Sequence, residues 1–461
     1  ITVLKDKLGN SPDIIFHPLQ FGPQKKIQAQ ILFIDGLVKF QTITSTLLFP
    51  LINWEINDDD LLYKNLIKKI ESEVLYSGDT KIIFTIEDII SEALSGNTVI
   101  MIDNCNSALA LNSKGWEKRS VTEPQSEAVL RGPREGFTEN IRTNSSLLRR
   151  KIKSENLRLE NFVIGEKTRT IVSIMYLNDV VNYEVLQTLK KRIKNINVDS
   201  ILESGYIEEY IEDAPFSPFP TLAYSEKPDA VAANILEGRI AILVDGTPFV
   251  LTVPMLFIES FQSAEDYYGR TVYASLIRIL RYIAFLISVF APAIFIALTT
   301  FHQELIPTTL LITILNAREG TAFPIFIEAL IMLFAFEIMR EAGIRLPRPV
   351  GQAISIVGAL VMGDAAVSAG LVGAPIVITT AITAVASFLV PNQNEAMSIL
   401  RIIFIFIAAF VGLFGIVIGF IFVLMHLSSL TSFGIPYFDG FTKYRKDSIV
   451  RFPLWDMIKR P

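Results

Sequence analysis

Beyond Arg278 the chain changes solvent. Four apolar runs, Ile279 to Phe301, Thr321 to Met339, Val372 to Val390 and Ile402 to Leu427, follow one another at short intervals. Each approaches or exceeds the roughly 20 residues that an α-helix needs to cross about 30 Å of hydrocarbon. Upstream the sequence is charged and of mixed helix and strand character. Such a chain has to be a large water-soluble region attached to a membrane-embedded one. Over 461 residues the hydrophobic share is 51% and the mean hydropathy +0.42, too apolar for a wholly soluble chain of this length.

Lysine and arginine around the runs set an expected orientation. Arg270, Arg278 and Arg281 precede the first run, Arg340, Arg345 and Arg348 follow the second, and Lys443, Arg445, Lys446 and Arg451 follow the fourth. The alternate connections hold only Arg318 and Arg401. By the positive-inside rule, four spans then return the chain to the cytoplasmic side, with both termini there. No basic-then-apolar leader opens the chain, so a few residues are expected before Ile1 and no export of the N-terminal region.

A net charge of -5 provides no broad basic field, which argues against nucleic acid as a partner. Cys105 is the single cysteine, and one thiol makes neither an internal disulfide nor a cysteine-based metal cage. His17, His302 and His426 are the three histidines. No HExxH, Ser/His/Asp arrangement, Walker A sequence or GxGxxG accompanies them, so neither catalysis nor a cofactor is expected. Asp58 to Asp60 lacks the spacing of a calcium loop and reads as a solvated helix start.

Two stretches of the soluble part resemble each other. Leu94 to Asn104 lies over Leu236 to Gly246, with Gly96 over Gly238 and Asp103 over Asp245; Ala29 to Gly36 lies over Val172 to Asp179. Both copies read as helix, glycine stop, strand, Asx turn, strand. The expected fold class is therefore an α/β soluble bilobed domain of two similar subdomains plus a C-terminal α-helical polytopic membrane domain. Its expected divisions are 1–118, an inter-lobe strap at 119–153, a second subdomain at 154–258, a membrane domain at 259–440 and a cytoplasmic tail at 441–461. In the strap, Arg131, Pro133 and Arg142 are candidate contacts, either between the lobes or to a neighbouring subunit.

Within the apolar part, Glu328 and Glu337 lie at hydrocarbon depth. Nine residues apart at about 100° each, they face opposite sides of one helix. Buried carboxylates there mark ion paths or interhelical pairs; for Glu337, a local pair with Arg340 competes with any other role. Leu305 to Leu315, interrupted by Pro307, and Val350 to Met362, stopped by Gly363 and Asp364, are expected as half-helices, since irregular backbone survives at that depth only inside protein or beside a water-filled cavity. The glycine-studded stretch from Gly351 to Gly373 suits close packing. Around a symmetry axis, Leu360, Val361 and Met362 would form a constriction and Asp364 a ring of charge favouring cations. A packed helix interface without a pore is the alternative.

Several long motifs carry a family resemblance. RSVTEPQSEAVLRGPREGFTENIRTNSSLLRR (119–150), EDAPFSPFP (212–220), GRIAILVDGTPFVLTVP (238–254), DYYGR (266–270), REAGIRLPRPVGQAISIVGALVMG (340–363) and TSFGIPY (431–437) together resemble the A subunit of the GerA-type spore germinant receptors. The resemblance implies a nutrient sensor of the inner spore membrane. It implies partners as well: a transporter-like B subunit, a lipoprotein C subunit, and further copies of the chain, forming with membrane lipid a ligand-gated path for monovalent cations. A secondary transporter and a non-conducting membrane scaffold remain the alternatives.

Overall fold

The computed structural model describes residues 2–22, 26–54, 66–75, 79–115, 131–345, 358, 361–440 and 447–457. The chain divides into two compact units. One comprises Ile1–Glu212 and Leu222–Pro254, the other Asp213–Thr221 and Met255–Pro461.

The first unit holds two five-stranded antiparallel sheets. One contains β1 (Ile14–Phe21), β2 (Ile27–Ile34), β3 (Thr80–Ile83), β4 (Thr98–Ile102) and β5 (Ala108–Leu111); the other contains β6 (Leu157–Ile164), β7 (Thr170–Leu177), β8 (Ala223–Ser225), β9 (Ile240–Val244) and β10 (Val250–Val253). Their strand orders are β1-β2-β4-β5-β3 and β6-β7-β9-β10-β8, the same order twice. The register repeats too. Ile31 faces Ile100, and at the equivalent positions Ile174 faces Ile242. Asp103 donates its N–H to the Gln28 carbonyl at 2.9 Å, and Asp245 to that of Ile171 at 3.0 Å.

Burial on both faces explains why strict alternation fades in the central strands. In the first lobe Leu32, Ile34, Val99 and Ala108 pack with Leu4 and Leu8 of the Thr2–Leu8 helix and with Ile90 and Leu94 of the Ile86–Leu94 helix. On the opposite face, Ile31, Phe33, Ile100 and Leu109 meet Ile43, Leu47, Leu51 and Ile70. The second lobe places Leu147 and Leu148 of the Ile141–Lys151 helix, with Val231 and Ile235 of the Pro228–Leu236 helix, over Met175, Leu177, Ala241 and Leu243. The expected strap at 119–153 is thus corrected in its second half. Residues 141–151 are a core helix of the second lobe, because Leu147 and Leu148 supply the apolar face that the sheet needs. Residues 116–130 lie outside the described residues.

In the second unit the main helices are Thr271–Thr300, Thr308–Asn316, Ile325–Arg345, Ala374–Ser387 and Asn394–Ser429. Among the described residues, only Thr271–Thr300 and the Pro391–Ser429 stretch are long and apolar enough to cross a membrane by length and composition. The other two expected runs, Thr321 to Met339 and Val372 to Val390, fall on helices that do not meet that criterion. Ile325–Arg345 carries Glu328, Glu337, Arg340, Glu341 and Arg345, and the 14 residues of Ala374–Ser387 rise only about 21 Å.

The last long stretch is no straight rod. Gly412 takes φ 68°, ψ -152°. A Cβ built on Gly419 would meet Phe404 at 2.8 Å, and one on Gly415 would meet Ile407 at 2.7 Å. In a straight helix residues 404 and 419 would stand about 22 Å apart. The chain therefore turns back at Gly412 into two antiparallel arms. Gln393 at one end of this hairpin donates to the Tyr437 hydroxyl at 3.4 Å, and the Tyr437 N–H donates to the Leu430 carbonyl at the other end at 2.9 Å.

Helix direction departs from expectation as well. Gly373, at the start of Ala374–Ser387, donates to Glu328 near the start of Ile325–Arg345, while Phe388 packs on Phe336 with centroids 6.3 Å apart. These two helices run parallel, not antiparallel. The chain leaves one end at Arg345 and is back at the other by Gly370, whose carbonyl accepts from the Ala322 N–H at 2.9 Å. The stop expected at Gly363 and Asp364 is also corrected. A π-helical turn over Val361–Ala365 runs into Ala366–Ser368, and the break comes at Gly370 with φ 66°.

Gly238 has φ +91°, and a Cβ there would lie 2.9 Å from the Val180 carbonyl oxygen. Gly238→Ala should cost about 1–3 kcal/mol in backbone strain, read as a lowered thermal midpoint of the full chain in detergent. Glu203 begins the Ser204–Ile211 helix. Burial works against its charge, yet hydrogen bonds from Ser204, the Gly205 N–H and Thr247 hold its pKa below the ordinary carboxylate range. A depressed folded pKa lends stability that is fully present above the unfolded value, about 4.3, and is lost as pH falls through the folded one. The midpoint gap between wild type and Glu203→Gln should therefore be wide at pH 7 and close below about pH 4; a gap independent of pH would contradict this assignment.

Candidate functional site

Glu328 has no exposed surface. It sits in the first turn of its helix, where one oxygen accepts from Arg318 Nη2 at 2.9 Å and the other from the Gly373 N–H at 2.8 Å. A carboxylate at the start of Ala374–Ser387 also meets the positive end of that helix dipole. Three chain segments are thereby fixed to one buried charge. Gly373 belongs there because a Cβ would come within 2.9 Å of Arg318.

Glu337 lies on another face of the same helix, as its spacing from Glu328 requires. It pairs with Arg340 at 2.5 Å, accepts from Ser398 at 3.2 Å and lies 3.6 Å from Arg401. The expected local pair with Arg340 is present. Arg401 was placed by its position among the loop charges; it is instead inside the first arm of the hairpin and only 2% exposed. Its Nε and Nη2 donate to the carbonyl and hydroxyl of Ser288 at 2.8 and 2.7 Å. A groove of about 390 Å³ beside this cluster is lined by Leu330, Ile331, Leu333, Phe334 and Ile402, with Glu337, Ser398 and Arg401.

A third cluster stands at the start of the first long helix. Arg278, with no exposed surface, binds the Asp447 carboxylate at 2.8 Å and carbonyl at 2.7 Å, and Asp266 at 3.3 Å; Arg281 takes the same Asp266 at 2.8 Å. Tyr267 donates to Asp447 at 2.6 Å, and Ser263 with Asp266 forms a capping box. Arg278 and Arg281 are thus largely neutralised, which weakens them as markers of orientation. The sequence signal was there: Asp266 opens the DYYGR motif, 12 and 15 residues before the two arginines. Nearby, Phe257 packs against Phe219, Phe285 and Tyr437, and burial pushes the Tyr437 phenol up, keeping it neutral.

The expected gate is described only in part. Leu360 lies outside the described residues, and of Val361 and Met362 only the backbone is described. Asp364 is exposed. Among the described residues no group of three or more His, Cys, Asp or Glu side chains is placed to hold a metal ion. His426 packs on Phe219 and lies 2.9 Å from the Ser217 hydroxyl.

Of the three strap residues, Arg131 and Pro133 lie on an irregular segment, Arg131 exposed and Pro133 half-buried. Arg142 pairs with Asp35 of the first lobe. The stronger link is one the sequence did not single out. Arg149, 1% exposed, grips Asp13 with Nε at 2.7 Å and Nη2 at 3.0 Å, and its Nη1 donates to the Leu157 carbonyl at 2.9 Å. Around it Arg158 donates to the Leu8 and Lys7 carbonyls, and the Leu159 N–H donates to Ser11. Asp245, read as a plain turn residue, also accepts from the Ile141 N–H at 3.1 Å and so fixes the start of this helix.

The model of the Bacillus/Clostridium GerA spore germination protein family matches residues 2–461. The chain belongs to the GerA family. Among relatives in that family, "Spore germination protein KA" of Bacillus subtilis (strain 168) is 45% identical, covering 100% of this chain and 85% of the relative. "Spore germination protein GerLA" of Bacillus cereus is 38% identical over 99% of this chain and 93% of the relative. A crystal structure of the N-terminal domain of the A subunit of the Bacillus megaterium spore germinant receptor GerK3 aligns with 56% of this chain and 93% of that domain, at 38% identity and a TM-score of 0.44.

Breaking a buried ion pair from one side strands a charge, at about 3–5 kcal/mol. Arg149→Met should destabilise the bilobed unit by that amount, while the double change Arg149→Met with Asp13→Leu should recover most of it. Hydrogen exchange of β2 and β7 amides in the full chain reads both values.

Proposed function

We propose that the chain is the A-type subunit of a nutrient receptor in the inner membrane of a spore. In this reading residues 259–440 form a multi-pass membrane domain, and the bilobed unit, the tail at 441–461 and both termini lie on the cytoplasmic side. Copies assemble into a ring with a transporter-like B subunit and a lipoprotein C subunit. The ring conducts monovalent cations, narrowed by Leu360, Val361 and Met362 and favoured electrostatically by Asp364.

The observation that carries this reading is the family match along residues 2–461 on a chain whose Thr271–Thr300 and Pro391–Ser429 stretches suit a membrane. Geometry adds support. Asp447, downstream of the hairpin, is bound to Arg278 at the start of the first long helix, which brings the beginning and the end of the helical unit to one end. Binding of a nutrient by a partner shifts the ring toward conduction only as far as its affinity differs between the two arrangements.

The test is reconstitution of the full chain in a planar bilayer under a potassium chloride gradient. Discrete currents are expected, with Asp364→Asn moving the reversal potential toward zero as cation preference falls. A silent bilayer despite an assembled complex would assign the chain to the scaffold role instead.

A further inference from the structure

The groove between Ile325–Arg345 and the first arm of the hairpin has an uncommon pairing of walls and floor. Leu330, Ile331, Phe334 and Ile402 line it, and Ile331, Phe334 and Ile402 are among the exposed large apolar side chains of the chain. Glu337, Ser398 and Arg401 contribute its polar lining. Two guanidiniums, Arg340 and Arg401, face the single carboxylate of Glu337. One positive charge is therefore left over in apolar surroundings, where an uncompensated charge is costly.

We propose that this groove holds an acyl chain of an anionic phospholipid, with the lipid phosphate on Arg401 and Arg340. Ser288 occupies Nε and Nη2 of Arg401, whereas Nη1 reaches only Glu337 at 3.6 Å, beyond hydrogen-bonding distance. That nitrogen is available to an acceptor, and a phosphate oxygen brings the missing negative charge with it. The axis of the groove fits as well. From Glu337 it runs back to Leu330, away from the helix end at Arg345, so a headgroup at the arginines sends its chain toward the middle of the bundle. Basic pockets between membrane helices bind lipid headgroups in this manner. At about 390 Å³ the space lies at the small end of ligand sites, enough for one chain. Gly358 lies against Met339, about 140° round the helix from the groove-lining Phe334.

This inference rests on the membrane reading of the helical unit, so its test separates the two. Full-length protein is first challenged by alkaline carbonate extraction from membranes. It is then purified, stripped of lipid and supplied with phosphatidylglycerol or phosphatidylcholine, with retained lipid counted by native mass spectrometry. Phosphatidylglycerol should be retained at least tenfold better than phosphatidylcholine. Arg401→Gln should abolish the preference, and Ile331→Trp, which fills the groove and leaves every charge in place, should lower phosphatidylglycerol retention about tenfold. Should Arg401→Gln not fold, Ile331→Trp carries the test alone. Equal retention of both lipids, indifference to Ile331→Trp, or capture of a second copy by a crosslinker at Ile331→Cys each overturns the proposal. Extraction by carbonate overturns the membrane reading, whereas an embedded protein with no lipid preference overturns this inference only.

Discussion

Charge buried among apolar helices must be met by opposite charge or by several hydrogen bonds, because leaving it unmet costs several kcal/mol. The helical unit is arranged around that requirement. Glu328 draws Arg318 and the start of Ala374–Ser387 together, Arg401 joins the hairpin to Ser288 of the first long helix, and Arg278 holds Asp266 and Asp447. Apolar side chains fill the space between these points without choosing which helix lies beside which. The polar contacts make that choice.

The bilobed unit solves a different problem. Each sheet has two apolar faces to cover, and each repeat covers one of them with a helix preceding its first strand and another preceding its fourth: Thr2–Leu8 and Ile86–Leu94 in one lobe, Ile141–Lys151 and Pro228–Leu236 in the other. The Ile141–Lys151 helix has a second task. Its inner face completes the core of the second lobe while Arg142 and Arg149 reach Asp35 and Asp13 of the first. A bidentate, buried pair of this kind opposes independent motion of the lobes. Any hinge must lie elsewhere or break that contact.

Much of this was legible in the sequence. Two copies of a glycine stop and an Asx turn revealed the repeat because both features are local, and the structure carries them to equivalent strand registers. The pair of Glu337 with Arg340 was legible for the same reason, three residues apart on one helix. What escaped is non-local. Arg401 looked like a loop charge because nothing near it in the chain discloses Ser288, more than a hundred positions away. Gly412 was invisible as a reversal because glycines are common in apolar helices and hydropathy does not change across it. The parallel course of Ala374–Ser387 was missed since apolar runs were counted as alternating spans, and only the Gly373 contact with Glu328 discloses its true start.

The reversal at Gly412 changes what kind of object the end of the helical unit is. Two arms of roughly 17 residues, each about 26 Å long, are tied by a single residue whose neighbours Phe410, Val411 and Phe414 are exposed and apolar. A turn between two helices is ordinarily made of polar residues wetted by solvent. Here the tip is apolar, so water gives it no hold, and the polar tie that keeps the pair in register lies back along the first arm, where Arg401 donates to Ser288.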